Sequence, residues 1–399
     1  MIDAERARRE TPGCEHVTHL NNAGASLPPQ PVLDAVIAHL ELEGRVGGYE
    51  AHEQNEAAIE RFYGATTELI GAHPGEIAFS SSATRAWDMA FYGFPFERGD
   101  RILTAVAEYI SNYIAYIQIA ERTGVEVVPV PNDEYGQVSV DALRQLVDER
   151  VKLIAITHVP TNGGLVNPAA EIGAVAREAG IPYLLDACQS VGQLPVDVEE
   201  IGCDVLSATG RKYLRGPRGT GFLYVRSSML ERLEPPFLDM RAADWVEPDR
   251  YVLRPDAIRF EEWEQAYAAK AGLSTAIDYA LGWGLDSIWQ RIAALGESLR
   301  TRLGDVEGVT VRDLGAVRCG IVTFTVDGVE AGELKEGLAR ERINVTVSPR
   351  SSTLLDSNAR ALPDLVRASV HYYNTDEELD RLVETISNAA PRRAAGSAG

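Results

Sequence analysis

The residues able to do chemistry concentrate between Tyr183 and Tyr224. A strand of buried type, YLLD, closes on Asp186 and runs into Ala187-Cys188-Gln189-Ser190. A second strand, VLSATG, leads into Thr209-Gly210-Arg211-Lys212, and the turn Gly216-Pro217-Arg218-Gly219-Thr220-Gly221 precedes a third. In an open parallel sheet, ligands sit beyond the carboxyl ends of the strands, which is where Asp186 and Lys212 fall. A carboxylate and an amine so placed suit a cofactor that needs an acid beside a ring nitrogen and a covalent amine anchor. Pyridoxal phosphate has both needs. The same residues also fit plainer roles: an Asp closing a strand commonly caps or turns the chain, and a Lys beside glycines is commonly solvated. GPRGTG alone is a weak phosphate-loop signal without the Gly-Lys-Ser/Thr ending. A nucleotide-binding α/β protein that uses Gly216–Gly221 is thus a second reading of these residues. The lack of G-x-G-x-x-G at the first strand–helix turn counts against it.

The elements that must position these groups alternate from Pro28 to Arg226. Short apolar runs at Glu76–Ser80, Arg101–Val106, Val125–Val130, Leu153–His158, Tyr183–Leu185, Val205–Ser207 and Gly221–Val225 predict seven strands. Amphipathic stretches at Pro31–Leu42, Val140–Asp148 and Pro168–Ala179 predict helices among them, the last with Gly180 just past its end. Strands joined by helical crossovers imply a mostly parallel sheet covered on both faces. Leu233–Asp256 is Pro-rich and lacks periodicity, so it reads as a connecting segment or active-site loop. Helices at Trp263–Tyr279 and Leu285–Leu303 follow. Beyond them come strands at Val309–Leu314 and Gly320–Val326, a helix at Ala331–Arg342, strands at Ile343–Val347 and Arg367–Tyr373, and a helix at Asp376–Ile386. The expected organisation is an α/β domain over residues 15–256 and a smaller α+β domain over 257–390. Residues 1–30 are expected to pack near the smaller domain and 391–399 to form a flexible tail.

Composition narrows the function. With 399 residues and 45% hydrophobic content, the chain can bury a large core without disulfides or metals. A net charge of −21 disfavours nucleic-acid binding and docking on anionic membranes. No run of about 18 apolar residues exists, and Met1–Glu10 lacks the apolar stretch of a signal peptide. Cys14, Cys188, Cys203 and Cys319 show no C-x-x-C pair, and the histidines show no metal-ligand spacing, so no metal site is expected. The expectation is a cytoplasmic enzyme.

In chain order the motifs resemble those of the class V aminotransferase family of fold-type I pyridoxal-phosphate enzymes, which includes cysteine desulfurases, carbon–sulfur lyases, isopenicillin N epimerase and kynureninase. The resemblance rests on Leu20-Asn-Asn-Ala-Gly24, Ser82-Ala-Thr84, Glu108-Tyr-Ile-Ser-Asn112, His158-Val-Pro-Thr161, Asp186-Ala-Cys-Gln189, Thr209-Gly-Arg-Lys212 and Arg367-Ala-Ser-Val-His-Tyr-Tyr-Asn-Thr375. It implies a fold-type I architecture with a seven-stranded sheet in the large domain. It further implies pyridoxal 5′-phosphate as cofactor, an amino-acid substrate and a homodimer. By that resemblance Lys212 anchors the cofactor and then acts as base at the substrate Cα, Asp186 pairs with the ring nitrogen, and Gln189 donates to the ring oxygen. Ala83 and Thr84 cradle the phosphate at a helix start, with Thr209 and Arg211 facing it. Tyr109 stacks on the ring and Thr161 lies near it. Asn22 faces the substrate and Arg367 clamps its carboxylate.

Three departures bear on the reaction. Tyr109 stands where cysteine desulfurases have His, so stacking is kept and an imidazole acid is lost. Arg211 stands where the family has His before the anchoring Lys. The segment that carries the desulfurase nucleophile reads Val347-Ser-Pro-Arg350-Ser-Ser352-Thr353, without Cys. A persulfide-forming desulfurase needs a thiolate there. The favoured expectation is therefore a carbon–sulfur β-lyase on a cysteine-derived substrate, with transamination or epimerisation as alternatives on the same scaffold. The Gly-Thr pattern through which relatives reach a partner's phosphate is replaced by Arg259-Phe-Glu-Glu-Trp263; Glu262 or Trp263 stands near that position.

Overall fold

The computed structural model describes residues 2–389. Its strands in chain order are β1 (Thr18–His19), β2 (Ile77–Ser80), β3 (Arg101–Ala105), β4 (Glu126–Val130), β5 (Val151–Thr157), β6 (Tyr183–Asp186), β7 (Val205–Thr209) and β8 (Gly221–Val225). They continue with β9 (Ala243–Glu247), β10 (Arg250–Leu253), β11 (Val309–Val311), β12 (Ile321–Val326), β13 (Ile343–Asn344), β14 (Thr346–Ser348) and β15 (Leu365–Ser369). Seven of them form the main sheet in the order β2-β8-β7-β6-β5-β3-β4. Only β8 runs opposite to the other six.

The alternation of side chains along each strand explains why this sheet is sandwiched. Leu103, Ile154, Ile156, Leu185, Leu206 and Phe222 point to one face, against the helices Glu56–Ile70 and Ala169–Ala179. Ile102, Leu153, Ala155, Leu184, Val205 and Leu223 point to the other, against Ala83–Phe91 and Ile110–Thr123. Successive strand residues face opposite sides, so runs that are apolar throughout need cover on both. Gly180, with φ of 67°, ends the helix Ala169–Ala179 in the left-handed conformation that glycine adopts freely.

A second sheet, β11-β12-β15-β14, carries its own core of Ile321, Phe324, Val366 and Ala368 with Leu295 and Leu299 from the helix Leu285–Gly304. The N-terminal segment joins this region, because β1 pairs in parallel with β13. Arg215, fully buried with φ of 61°, ties the two chain ends together. Its guanidinium donates to Thr11 Oγ1 (2.5 Å), the Leu27 carbonyl (2.9 Å) and Tyr372 Oη (2.7 Å).

Two expectations about elements are corrected. The segment Leu233–Asp256 is not irregular throughout, because β9 and β10 form an antiparallel hairpin within it. Its exposed, unalternating Trp245, Val246, Tyr251 and Val252 hide the period-two signal. The last strand ends at Ser369 rather than Tyr373, since His371, Tyr372 and Tyr373 turn into an aromatic cluster. The expected tail 391–399 lies outside the described residues.

Candidate active site

The site residues gather because β7, β6, β5 and β3 lie side by side and in parallel. Thr157 pairs with Asp186, and Asp186 with Ser207, so the carboxyl ends of the three inner strands come level. Past those ends emerge Thr209, Arg211 and Lys212 from β7, Asp186 and Gln189 from β6, His158 and Thr161 from β5, and Glu108, Tyr109 and Asn112 from β3. Gly221 joins this edge by pairing with both Thr209 and Ser80, which brings in the turn Ser82–Thr84.

Asp186 is 6% exposed. Its Oδ1 accepts from the Cys188 amide (2.9 Å) and its Oδ2 from Asn112 Nδ2 (2.9 Å). Both bonds are local or from an adjacent strand, so the carboxylate is oriented before any ligand arrives. Lys212 is partly accessible, and its side-chain amine forms no hydrogen bond or ion pair within the described residues. Burial lowers its pKa, Arg211 and Arg367 add to this, and Asp186 opposes it. The environment thus favours a free amine, which a nucleophile or base requires.

The turn after β2 has the features of an anion cradle. Ser82 Oγ caps the helix Ala83–Phe91 by accepting from the Arg85 amide (3.1 Å), while the Ala83 and Thr84 amides have no partner among the described residues. Thr84 is exposed beside them. A Cβ on Gly221 would lie 2.9 Å from Ala83 N and 2.6 Å from the Ala208 carbonyl, so only glycine lets the strand pass this closely. Free amides at a helix start bind a phosphate well, and the oriented carboxylate and unpartnered amine complete a set that fits pyridoxal phosphate.

Arg367, 7% exposed on β15, reaches the same cleft. Its Nη1 donates to Thr161 Oγ1 (2.6 Å) and to the Thr161 carbonyl (3.1 Å), while its Nε has no partner. Burial pulls its pKa down to about 10, which leaves it charged at neutral pH. No carboxylate pairs with it among the described residues. Tyr109 is half-buried and makes no ring contact within the described residues.

Other candidate residues make contacts within the protein. Asn22 is fully buried: its Nδ2 donates to the Ser369 carbonyl (2.7 Å) and its Oδ1 accepts from Tyr373 Oη, so it clamps the N-terminal segment to β15. Gln189 spends its amide donor on the Ala23 carbonyl (3.1 Å) and leaves Oε1 unpartnered. Arg211 donates to the Gly24 carbonyl (2.6 Å), and Thr209 to the Thr220 carbonyl (3.3 Å). The segment Val347–Thr353 docks on the β5 side, where Asn162 Nδ2 donates to Thr353 Oγ1 (3.0 Å) and the Pro349 carbonyl (3.3 Å).

Sequence reasoning gave no role to Glu108 and Asn112, which back Asp186, and passed over Lys270. Lys270 is buried, at 1% exposure. Its Nζ is held by Tyr63 Oη (2.9 Å) and lies over the rings of Phe62, Tyr63 and Phe79. Lys212, with no such partners, is the amine left free for chemistry.

The doubly covered sheet with its ligand-binding strand ends and lysine defines a fold-type I pyridoxal-phosphate enzyme. The chain belongs to the class V aminotransferase family, whose model matches residues 18–382. A Methanothermobacter thermautotrophicus protein named "Probable cysteine desulfurase" is 30% identical over 98% of this chain and 99% of its own. Among solved structures, apo cysteine desulfurase from Thermococcus onnurineus superposes with a TM-score of 0.91 at 26% identity, covering 98% of each chain. The cystine C–S lyase C-DES, in complex with its reaction product cysteine persulfide, gives 0.86 at 26% identity, covering 96% of this chain and all of its own.

Proposed function

We propose that this enzyme is a carbon–sulfur β-lyase that acts on a cysteine-derived amino acid without a cysteine nucleophile. The observation that carries the reading is the state of the cysteines around an otherwise complete site. Val347–Thr353, docked through Asn162, holds serine and threonine instead of cysteine. All four thiols that do exist are kept protonated by burial: Cys14 and Cys319 are pushed up to about 11, and Cys188 and Cys203 are raised as well. A sulfur-accepting nucleophile needs thiolate character. The similarity to both desulfurases and a cystine lyase supports sulfur chemistry on cysteine.

Pyridoxal phosphate, when bound, supplies an electron sink for charge developing at Cα. Arg367, anchored by Thr161, holds the substrate α-carboxylate through its remaining N–H groups and so fixes the Cα–H direction. The Lys212 amine removes the Cα proton, and the Cβ–S bond breaks with its electron pair leaving on sulfur: as a thiolate from a thioether, a persulfide anion from cystine or a sulfenate from a sulfoxide. Asp186, oriented by Asn112 and the Cys188 amide, presents its carboxylate toward the ring-nitrogen end. The free amides of Ala83 and Thr84 receive the phosphate, and Tyr109 offers a ring face for stacking.

A homodimer belongs to this reading. Phe237, Met240, Trp245, Tyr251 and Trp263 are exposed, and Arg85, which pairs with Glu262 (2.8 Å), covers the Phe237 ring. Large exposed apolar side chains mark an interaction surface, and the Arg85 contact places Phe237 beside the turn Ser82–Thr84.

The test is release of pyruvate and ammonia from cystine, a cysteine thioether and a cysteine sulfoxide. Formation from any of them without added keto acid is the expected result. Turnover that requires a keto acid would establish a transaminase, and solvent deuterium entering Cα without elimination an epimerase.

A further inference from the structure

Behind the site lies a pair of buried carboxylates. Asn112 Nδ2 donates to Glu108 Oε1 (3.0 Å) and to Asp186 Oδ2 (2.9 Å), so both amide hydrogens are spent on joining the two acids. Glu108, 3% exposed, also accepts from Thr104 Oγ1 (3.0 Å), the Tyr109 amide (2.8 Å), the Thr157 amide (3.2 Å) and Thr157 Oγ1. Five donors around one carboxylate equip it to carry a charge, yet no cation pairs with it among the described residues. The proposed reaction makes no use of it.

We propose that Glu108 is a positioning residue for Asp186: through the Asn112 amide it fixes the orientation of that carboxylate and adds its own charge behind it, so that the protein holds pyridoxal phosphate more tightly once Glu108 is ionised. The inference rests on the reading that Asp186 meets the ring nitrogen.

The groups facing Glu108 come from four elements. They are Thr104 of β3, Thr157 of β5, Asp186 and Tyr183 of β6, and Tyr109, Asn112, Tyr113 and Tyr116 at the start of the helix Ile110–Thr123. Asp186 is the charged member, and Lys212 and Cys188 face it from the cleft. Burial and the Asp186 charge raise Glu108 to about 7 despite its donors. Below that pH a proton sits on Glu108 and one negative charge backs the ring nitrogen; above it two do. A cationic ring nitrogen favours the second state. By linkage its arrival must also promote loss of the Glu108 proton to solvent.

The experiment titrates cofactor-free protein with pyridoxal phosphate from pH 6 to 8 and follows the cofactor's visible absorption, for wild type and Glu108→Gln. Glutamine keeps the shape and the neutral state of protonated Glu108. Wild type and variant should bind alike at pH 6, and wild type should gain about tenfold over the variant by pH 8, the scale of one added charge acting through an effective dielectric of about 20. Parallel profiles at every pH would overturn the proposal. So would a variant equally weakened at pH 6 and 8, which would make Glu108 a structural brace. Should the variant fail to fold, infrared difference spectra of the wild type before and after loading at pH 6.5 carry the same test. Loss of a protonated-carboxyl band supports the proposal and no change overturns it. Wild type that takes up no pyridoxal phosphate at all would instead refute the cofactor reading itself.

Discussion

Arg367→Met separates function from stability at one position. The guanidinium spends Nη1 on Thr161 and leaves Nε and its other nitrogen for a substrate carboxylate. Two parallel charge-assisted bonds of about 1.5–3 kcal/mol each sum to about 3–6 kcal/mol. Their loss lowers kcat/KM by about 10²–10⁴-fold. Arg367→Lys keeps a point charge without the fork and should fall between the two. Stability should move little. Methionine gives up the bonds to Thr161 but also removes a buried cation with no carboxylate partner among the described residues. These opposing effects are each worth several kcal/mol, so the unfolding midpoint of the cofactor-free protein should shift by less than about 3 °C. The assays are initial rates of pyruvate release across substrate concentration and thermal unfolding by circular dichroism. A kcat/KM within tenfold of wild type refutes the carboxylate role. A fall in midpoint above about 8 °C would show that Arg367 serves mainly to brace β15 against Thr161.

Iodoacetamide at pH 7.5 should leave pyruvate release unchanged while mass spectrometry finds little alkylation, because burial raises all four thiols above their ordinary range; inactivation together with one modified cysteine would reverse the reading. His158, buried and neutral, is pulled down to about 4, so the unfolded chain binds the extra proton first. Its contribution is complete above about pH 6.5 and drains away as pH falls toward 4, by about 3 kcal/mol; chemical denaturation of His158→Asn should show a flatter pH dependence over that window. Gly173→Ala should destabilise by about 3 kcal/mol or more, read from denaturant midpoints, because the new Cβ would sit 1.8 Å from the Ile201 carbonyl. Sedimentation at micromolar concentration should give a dimer, and Trp245→Glu with Tyr251→Glu should give a monomer that loses cofactor faster.

The main sheet was legible because its strands are short, mostly apolar and bounded by turns, a pattern that buried parallel strands impose on sequence. Asp186 and Lys212 were legible because strand ends in such a sheet are where ligands bind. The contacts of Asn22 and Gln189 were not, since their partners, Ser369 and Tyr373 in one case and Ala23 in the other, lie 166 or more positions away along the chain. Asn112 gave no signal of its bridging role for the same reason: its contact with Asp186 spans 74 positions. The β9–β10 hairpin escaped because its large apolar side chains are exposed instead of alternating in and out.

The measurement closest to the central claim is borohydride reduction of the pyridoxal-phosphate-loaded protein followed by peptide mapping. The chain has only four lysines, Lys152, Lys212, Lys270 and Lys335, so the outcome is unambiguous. The account predicts one equivalent of reduced cofactor on Lys212 and loss of that label in Lys212→Ala. Label on Lys270, the buried amine, or no label on any lysine, would contradict it.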